Sequence, residues 1–489
     1  MHRIETISKD WKEAGSFPAQ VNLYGFWDEH CFLTKSGDLG SVLKIGGVDY
    51  ESLDHAGRDY AVKRLEAAFR SLDDSTRLYQ VLIKRNHPAI PHTEYDNPLV
   101  RAAVEQRASF LQSKSDRLYS IEIYWVVMID GSYAKTGLLH ALAQLPKQPR
   151  SSLRDLRALF SSSKERTLIY GQIERDRLRL QQKAQSLSGQ LNDLTTVELL
   201  GAEKTFRLVR RLVNFRPSKI QDARLYSARH LDWQVCDSEL EAHRGYLRVD
   251  DDYVRVLTLK ELPSETRPLL LQGLFDVAAN FHLVTEWHPV DNARARKEIN
   301  KRRRHHHNSK TSFLSNLQDR QNAGPRDELV DDSKEAAVAE LGSALTALGM
   351  EGKNFGEFTL SVVIYDEDRA KVEHAVAEFQ KLFTQHDGLL YEERYNLLNA
   401  FFATVPGNKQ FNLRKQWALN SNYADLSFFF TVDSGSTWNP HLEREYLAVL
   451  ESTHGTPYYL NIHSGDVAHT LLLGATGSGK SFTLSSTLQ

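Results

Sequence analysis

The chain has 489 residues, 41% of them hydrophobic and 25% charged, a composition typical of folded globular domains rather than disordered segments. Its formal net charge of −2 excludes a general electrostatic attraction to nucleic acid or anionic membranes, so any such contact must come from a local patch. The two cysteines, Cys31 and Cys236, form no CxxC pair. We therefore expect two packed thiols in a reducing compartment, without disulfides or a thiolate zinc site.

Strands and helices are predicted to alternate along the chain. Residues 26–46 contain two apolar stretches around a Ser-Gly-Asp turn, the pattern of a β-hairpin. Apolar residues from Ala61 to Leu72 then recur at helical spacing. Strands are predicted where apolar and β-branched residues alternate or concentrate, at 77–85, 119–129, 253–259, 281–286 and 357–365. This order predicts an α+β fold.

A helical, charged insertion is predicted at about 150–215. Its apolar residues hold heptad a and d spacing, at Ile173, Leu180, Ala184, Leu187, Leu191 and Leu194. Two interpretations of this insertion remain open: a packed helical hairpin and a coiled coil that binds a partner. The hairpin is favoured because three heptads are few and Ser188-Gly189 interrupt them.

One dense basic patch runs from Arg294 to Lys310, with Glu298 as its one acidic residue. A contact with DNA backbone or acidic lipid is conceivable because basic side chains neutralise phosphates. No aromatic residues interleave for base stacking, so a solvated face or an acidic protein partner is the favoured interpretation. His305, His306 and His307 are not predicted to bind metal, because consecutive helical residues point about 100° apart.

An acidic group, Asp366-Glu367-Asp368, lies where a predicted strand gives way to a predicted helix. We interpret it as helix capping, with Asp366 as the N-cap and the other acids as first-turn partners of the helix dipole.

No membrane span or leader is predicted. The N-terminal residues lack an apolar stretch of signal-peptide length, and the apolar run at 123–129 is far shorter than the ~20 residues that a span requires. We expect a cytoplasmic protein, or one docked onto a membrane complex.

The strongest motif is GATGSGKS, residues 474–481, which fits the G-x-x-x-x-G-K-[ST] pattern of a phosphate-binding loop. The apolar run 469–475 precedes it and predicts a buried parallel strand at 470–473, and residues after Ser481 predict a helix. The loop comprises Gly474, Ala475, Thr476, Gly477, Ser478, Gly479, Lys480 and Ser481. Glycines let backbone N–H groups surround the phosphates of ATP, Lys480 can bridge the β- and γ-phosphates, and the Ser481 hydroxyl can bind Mg²⁺.

The flanks of this loop resemble the CagE/TrbE/VirB family of type IV secretion and conjugation ATPases. Residues 458–482 resemble that family's approach to its phosphate loop. Residues 405–426 are similar to its Pro-Gly-Asn segment and following arginine, here Arg414. Residues 253–266 are similar to its strand ending in Leu-Pro, and residues 32–53 to its N-terminal signature.

The resemblance implies an α+β docking and assembly domain, assigned to residues 1–435. It also implies a RecA-like motor domain that forms hexamers. Residues 436–489 are assigned to the start of this domain, which is incomplete in this chain. The partners implied are other secretion components at the cytoplasmic face of the inner membrane, and the cofactors are ATP and Mg²⁺. The family's Walker B acid, catalytic glutamate and arginine finger are expected beyond residue 489. This chain alone is therefore expected to bind nucleotide weakly and not to hydrolyse it.

Two other functions remain open. A DNA translocase of the FtsK or HerA type would share the phosphate loop. Alternatively, this chain acts as a non-catalytic scaffold that binds the secretion complex. The sequence does not distinguish DNA from protein as the translocated substrate.

Overall fold

The computed structural model describes residues 16–114, 116–131, 163–311, 353–463, 467 and 469–481, with side chains omitted for 163–169 and 302–311. The strands, in chain order, are β1 Leu23–Phe26, β2 Phe32–Thr34, β3 Leu39–Ile45, β4 Val48–Asp49, β5 Thr76–Asn86, β6 Tyr119–Ile129, β7 Val197–Leu199, β8 Leu240–His243, β9 Tyr246–Val249, β10 Asp252–Glu261, β11 Asn280–Pro289, β12 Phe355–Asp366, β13 Leu389–Glu392, β14 Gln416–Leu419, β15 Phe430–Thr431, β16 Trp438–Asn439, β17 Arg444–Glu445, β18 Ala448–Glu451 and β19 Pro457–Leu460. The helices are α1 Phe17–Gln20, α2 His55–Arg70, α3 Pro98–Gln112, α4 Ser163–Leu191, α5 Ala202–Val213, α6 Ser218–Gln221, α7 Leu231–Val235, α8 Asn292–Thr311, α9 Arg369–Thr384, α10 Leu397–Ala403 and α11 Asn420–Asp425, with 3₁₀ turns at Gln272–Phe275 and Lys409–Phe411.

A 13-stranded sheet organises the described part of the chain, and the α+β prediction is confirmed. Its main path is β1-β2-β3-β6-β5-β11-β12-β10-β9-β8, and neighbouring strands are antiparallel. Off this path, β7 pairs with β3, β13 with β10 and β14 with β12. The predicted hairpin at 26–46 is present as β2 and β3, with Gly37 at φ 86° in the turn. The five predicted strands correspond to β5, β6, β10, β11 and β12.

The strand order reads the same from both edges of the sheet, because the topology occurs twice. The first repeat runs β1-β2-β3-α2-β5-α3-β6-α4-β7-α5 and the second runs β8-β9-β10-β11-α8-β12-α9-β13-α10. In both, a short strand after the long helix pairs antiparallel with the third strand, β7 with β3 and β13 with β10. The repeats meet where β5 pairs antiparallel with β11. The 3₁₀ turn Gln272–Phe275 stands where the first repeat has α2.

Helices cover both faces of the sheet because its central strands are apolar on both sides. Core residues of α2, α4, α9 and α11 form one hydrophobic cluster with one sheet face. Core residues of α5, α7 and α10 form a second cluster with the opposite face. The sheet is therefore the middle of three layers.

The insertion prediction was partly wrong. The heptad residues of α4, from Ile173 to Leu191, are buried against the sheet, so they form core contacts and no exposed coiled-coil seam. Helices α4 and α5 lie in different clusters on opposite faces, with β7 between them in sequence, so they do not form a helical hairpin. A spacing pattern identifies an apolar stripe but not the surface that it contacts. Residues 150–162 lie outside the described ranges.

The N-cap prediction for α9 was wrong by two residues. Asp368 is the N-cap, and its side chain accepts a hydrogen bond from the Ala370 N–H. Asp366 ends β12 and accepts from the Asp368 N–H. The strand continues further than the acidic pattern indicated because Asp366 still pairs with Tyr253.

Cys31 is buried as a free thiol and Cys236 is partly buried, as predicted for packed thiols. Burial raises the pKa of Cys31 to about 12, and nearby Asp28 adds to the shift. This thiol is therefore protonated near neutral pH. None of the helices within the described ranges is long and apolar enough to cross a bilayer.

Candidate phosphate-binding loop

Two glycines of the loop at 474–481 have left-handed backbone conformations. Gly477 and Gly479 both have φ 83°, a left-handed conformation that glycine adopts without steric cost. A Cβ added to Gly474 would lie 2.5 Å from Ser478 Oγ, so the first glycine also allows a close approach within the loop. Lys480 and Ser481 begin a helical turn. The glycines therefore permit a tight backbone turn at this loop.

Lys480 folds back onto the loop. Its Nζ donates to the carbonyl oxygens of Gly474 at 2.6 Å and Ala475 at 2.7 Å. The Ser478 N–H closes the turn by donating to Ala475 O at 3.2 Å. Thr476 and Ser481 lie at the exposed surface of the same loop. An ammonium, a hydroxyl and left-handed glycines are thus within one short segment, a combination suited to phosphate and a divalent cation.

The strand predicted at 470–473 is absent from the described structure. Residues 471–475 have no regular secondary structure, and the side chains of Leu471 and Leu473 are 81% and 78% exposed. An isolated run of leucines forms a buried parallel strand only if neighbouring strands supply hydrogen bonds and covering helices. Within the described ranges, no strand pairs with this run. The RecA-like strand is therefore not found in this structure.

The segment before the loop is anchored to the first repeat. Hairpin β18–β19 contributes Val449 and Tyr459 to a small core whose other buried members belong to the β5–β6 crossover, namely Ile90, Ala108, Leu111 and Leu118. The Tyr459 hydroxyl donates to Ala89 O at 3.2 Å, and Arg107 donates to Val449 O at 3.0 Å. The hairpin therefore packs against α3 and its flanking loops. The boundary predicted at 435/436 remains a prediction.

The tip of this hairpin contacts the start of β6, a strand in the interior of the sheet. Gly455 has φ 69° and its carbonyl accepts from the Tyr119 N–H at 2.7 Å. Beside it, His454 Nδ1 lies 3.0 Å from Asp276 and Nε2 lies 3.1 Å from Glu51. The hydrogen bond with Asp276 is the main cause that raises the pKa of His454, with burial opposing it and Glu51 adding to it.

The Pro-Gly-Asn segment identified in the sequence is packed against the sheet. Gly407 has φ 96°, and Asn408 is fully buried. Arg414 pairs with the buried Glu393 and stacks over Tyr391, with its guanidinium 4.4 Å from the ring centroid. These residues pack within the sheet domain, and none of their contacts described above involves the loop at 474–481.

A charge network beside this segment was not predicted from the sequence. Lys409 Nζ bridges Asp38 at 3.0 Å and Asp130 at 2.8 Å. Asp130 also accepts from Arg77 at 2.8 Å, and Arg77 pairs with buried Glu286 at 2.6 Å. The five side chains come from five segments that are distant in sequence, so no local motif could have indicated the network.

The basic patch lies on α8. Ala295 and Ile299 are buried with Val290 and Phe355, which anchors the first turns of the helix to the end of the sheet. Arg294, Arg296, Lys297 and Lys301 are exposed. No described group of three or more His, Cys, Asp or Glu side chains could hold a metal ion.

Two regions of the chain match known protein families. Residues 30–136 match the family model described as the N-terminal domain of the type IV secretion system ATPase VirB4/TrbE. Residues 326–414 match the model of the CagE, TrbE, VirB family, a component of the type IV transporter system.

Individual relatives align over most of the chain. The conjugal transfer protein TrbE of Rhizobium radiobacter is 22% identical over 98% of this chain and 57% of its own length. The type IV secretion system protein virB4 of Bartonella quintana is 22% identical over 93% of this chain and 54% of its own length. The type IV secretion system protein PtlC of Bordetella pertussis is 21% identical over 92% and 52%, respectively. The chain therefore spans about half the length of these relatives.

Proposed function

Because the chain is related over most of its length to the VirB4/TrbE group of type IV secretion proteins, we propose that it is part of an ATP-dependent motor subunit of such a system. The single observation that carries the ATPase assignment is the loop at 474–481, with left-handed Gly477 and Gly479 and with Lys480 directed onto it. The activity proposed is ATP hydrolysis by the complete protein, coupled to machine assembly and to transfer of DNA or protein.

ATP and Mg²⁺ are the cofactors proposed, and the loop residues fit them. Gly474, Gly477 and Gly479 keep side chains away from the place where phosphate oxygens would bind backbone N–H groups. Lys480 would neutralise phosphate charge, and the Ser481 hydroxyl would contribute one Mg²⁺ ligand. Bound Mg·ATP supplies the reactive phosphoanhydride. The described residues of this chain bind and orient it.

The described sheet domain is proposed to act in docking and assembly. Its size, its two repeats and the anchoring of β18–β19 on α3 suit a scaffold that holds the motor segment against other subunits. The proposed partners are secretion components at the cytoplasmic face of the inner membrane and further copies of this protein in a hexamer. In the secretion motor, the exposed basic residues of α8 are proposed to face solvent or an acidic protein partner.

A DNA translocase of the FtsK or HerA type is the second candidate, favoured by the exposed basic residues at the start of α8. Double-stranded DNA added to the complete protein distinguishes the two. Stimulation of hydrolysis that is lost in an Arg294→Glu, Lys297→Glu variant would favour the translocase. Hydrolysis indifferent to DNA favours the secretion motor.

The decisive experiment is Lys480→Ala in the complete protein. We expect ATP hydrolysis and substrate transfer to be abolished while assembly with the other subunits is retained, because Lys480 is not part of the described core. Lys63→Ala, which changes an exposed lysine on α2, is the matched control. Hydrolysis by the Lys480→Ala protein at the normal rate would remove the loop from the mechanism.

A further inference from the structure

Lys84 is a buried cation at the junction of the two repeats. It lies on β5, the strand that pairs with β11, and is only 1% exposed. Its Nζ donates to Phe275 O at 2.5 Å and to Val277 O at 2.7 Å. The same Nζ lies 4.8 Å from the centroid of the Tyr119 ring. Two carbonyls and one aromatic face can therefore occupy all three donors of the ammonium.

The charge of Lys84 is costly at this place. Burial lowers the pKa of its ammonium to about 8, and the charge of Asp276 opposes the shift. A buried charge costs free energy that an apolar side chain of similar length would not. What Lys84 adds to the fold is therefore the position of the two carbonyls that it binds.

These two carbonyls stand on either side of Asp276. Because Lys84 holds both flanking peptide groups, it fixes the direction in which the Asp276 side chain leaves the backbone. That carboxylate lies 3.0 Å from His454 Nδ1, at the tip of the β18–β19 hairpin. The other imidazole nitrogen, Nε2, lies 3.1 Å from Glu51. His454 thus contacts one carboxylate from each repeat.

A second contact of the tip also lies beside Lys84. The Tyr119 N–H donates to Gly455 O at 2.7 Å, and the ring of the same residue packs against the Lys84 ammonium. Lys84 therefore contacts both the 275–277 segment, which receives His454, and the start of β6, which receives Gly455. We call the contacts of His454 and Gly455 with these two elements and with Glu51 the tip seat.

We propose that Lys84 is a positioning residue that holds the β18–β19 hairpin in the tip seat, acting through Asp276 and Tyr119. Strand β19 ends at Leu460 and the phosphate-binding loop begins at Gly474. The seat therefore fixes the point from which the segment that carries the loop leaves the sheet domain. Only the consequence for ATP hydrolysis rests on the function proposed above.

The first test removes the charge and keeps the apolar volume. Lys84→Met should leave the sheet folded, because methionine fills a buried site of this length without a charge. Hydrogen exchange of residues 452–456 and of the Tyr119 N–H should become about tenfold faster, since Asp276 and the Tyr119 ring are no longer held. Exchange of the paired amides of β5 and β11 should stay as in the parent.

Lys44→Met is the matched control, because Lys44 is also a strand lysine beside a tyrosine ring, that of Tyr124. It should leave exchange at the tip unchanged. Tip exchange equal to that of the parent in folded Lys84→Met protein would overturn the proposal, as would a rise of equal size throughout β5 and β11.

A double-mutant cycle separates positioning from general stabilisation. Asp276→Ala removes a carboxylate that is 67% exposed, so the fold should survive while tip exchange becomes faster. If Lys84 acts through Asp276, the effects of Lys84→Met and Asp276→Ala on tip exchange should be less than multiplicative when combined. Fully multiplicative effects would mean that Lys84 stabilises the fold without positioning Asp276.

A reciprocal measurement leaves Lys84 in place, so it remains decisive if Lys84→Met does not fold. Because coupling is mutual, detaching the hairpin should loosen the contacts of Lys84. Val449→Asp places a charge in the small core under the hairpin, and Leu447→Asp changes an exposed residue of the same segment. Acylation of Lys84 by acetic anhydride, followed by mass spectrometry, should be several-fold faster in Val449→Asp than in the parent or in Leu447→Asp. Equal acylation in all three would contradict the proposal.

Hydrolysis by the complete protein tests the link to the motor. Lys84→Met should lower kcat and leave KM for ATP unchanged, because Lys84 is not part of the loop proposed to bind ATP. A normal kcat despite a loosened tip would break that link. The exchange and acylation measurements need no nucleotide, so failure of the tip seat is distinct from failure of the motor assignment.

Discussion

Asn214 and Asn408 make matching hydrogen bonds at equivalent places in the two repeats. Asn408 Nδ2 donates to Gln20 O at 3.0 Å and to Phe402 O at 2.8 Å, and its Oδ1 accepts from the Asn22 N–H at 2.8 Å. Each bond has a counterpart at Asn214, whose Nδ2 donates to Val235 O at 2.7 Å and Arg210 O at 2.8 Å and whose Oδ1 accepts from the Asp237 N–H at 3.0 Å.

The two asparagines connect the repeats reciprocally. Asn214 follows α5 at the end of the first repeat and holds the segment that leads into β8. Asn408 follows α10 at the end of the second repeat and holds the segment that leads into β1. Each repeat therefore fixes the start of the other, so the two are expected to fold as one unit.

Asn408→Ala should lower the free energy of unfolding by about 3 kcal/mol. It removes three hydrogen bonds of roughly 1 kcal/mol each and leaves partly buried backbone groups unpaired. Asn214→Ala should have a similar effect, measured by urea denaturation. Asn461→Ala, which removes one exposed bond to Ser436 O, is the control and should change the value by less than about 0.5 kcal/mol. If Asn408→Ala changed the free energy of unfolding only slightly while Asn214→Ala lowered it strongly, the two asparagines would not be equivalent.

Local patterns predicted the elements of this fold but not its topology. The alternation of apolar residues placed β5 and β6 correctly, yet it could not indicate that Leu82 of β5 pairs with Leu283 of β11. The structural repeat was not visible in the sequence for the same reason. Burial requires that a position be apolar but does not require the same amino acid in both repeats. For example, Leu78 of β5 and Phe281 of β11 are both fully buried in the same hydrophobic cluster. The residues around them do not share a sequence pattern.

The candidate site shows the same division. Glycine positions indicate where left-handed backbone can occur, as it does at Gly477 and Gly479, because that conformation needs only the glycine's own backbone freedom. The preceding leucines were assigned to a strand, but strand formation depends on neighbours that spacing cannot reveal. The resemblance to a known family, drawn from residues such as the Pro-Gly-Asn segment, is confirmed by the family models.

Acid should destabilise the domain through Asp130. Burial alone would raise the pKa of this carboxyl, but Arg77 and Lys409 outweigh it and lower the pKa from 3.8 to about 2. A depressed folded-state pKa contributes stability above the ordinary pKa, and that stability is lost as the pH falls from about 4 to about 2. The shift corresponds to about 2 kcal/mol. Asp130→Asn should remove this part of the acid transition in urea melts measured across that range. An unchanged pH profile would contradict the assignment.

Seating of the β18–β19 hairpin should depend on Val449. Val449→Asp places a charge in the small core with Leu111 and Leu118, and a buried unpaired carboxylate is costly. We expect the hairpin to detach, with faster hydrogen exchange at residues 446–460 and at the Tyr119 N–H. Leu447→Asp is the matched control because Leu447 is on the same segment and is 50% exposed. Equal exchange in the two variants would mean that the core does not hold the hairpin.

The hairpin tip should loosen as the pH rises, because of His454. Hydrogen bonding to Asp276 and to Glu51 raises the pKa of the imidazole, against the effect of burial. Both contacts use a ring nitrogen as donor only when the ring is protonated, since neutral imidazole has one N–H. A raised folded-state pKa gives stability that is complete below the ordinary pKa of about 6.5 and is lost as the pH rises through the raised value. Burial raises the pKa of nearby Tyr50 to about 12, so its hydroxyl stays neutral over this range. Both carboxylates are more than half exposed, which predicts a modest effect that weakens in salt.

Hydrogen exchange of residues 452–456, corrected for the intrinsic rate, should show more protection at about pH 5.5 than at about pH 8. His454→Asn should remove the dependence, and a dependence that survives in that variant would assign the effect to another group.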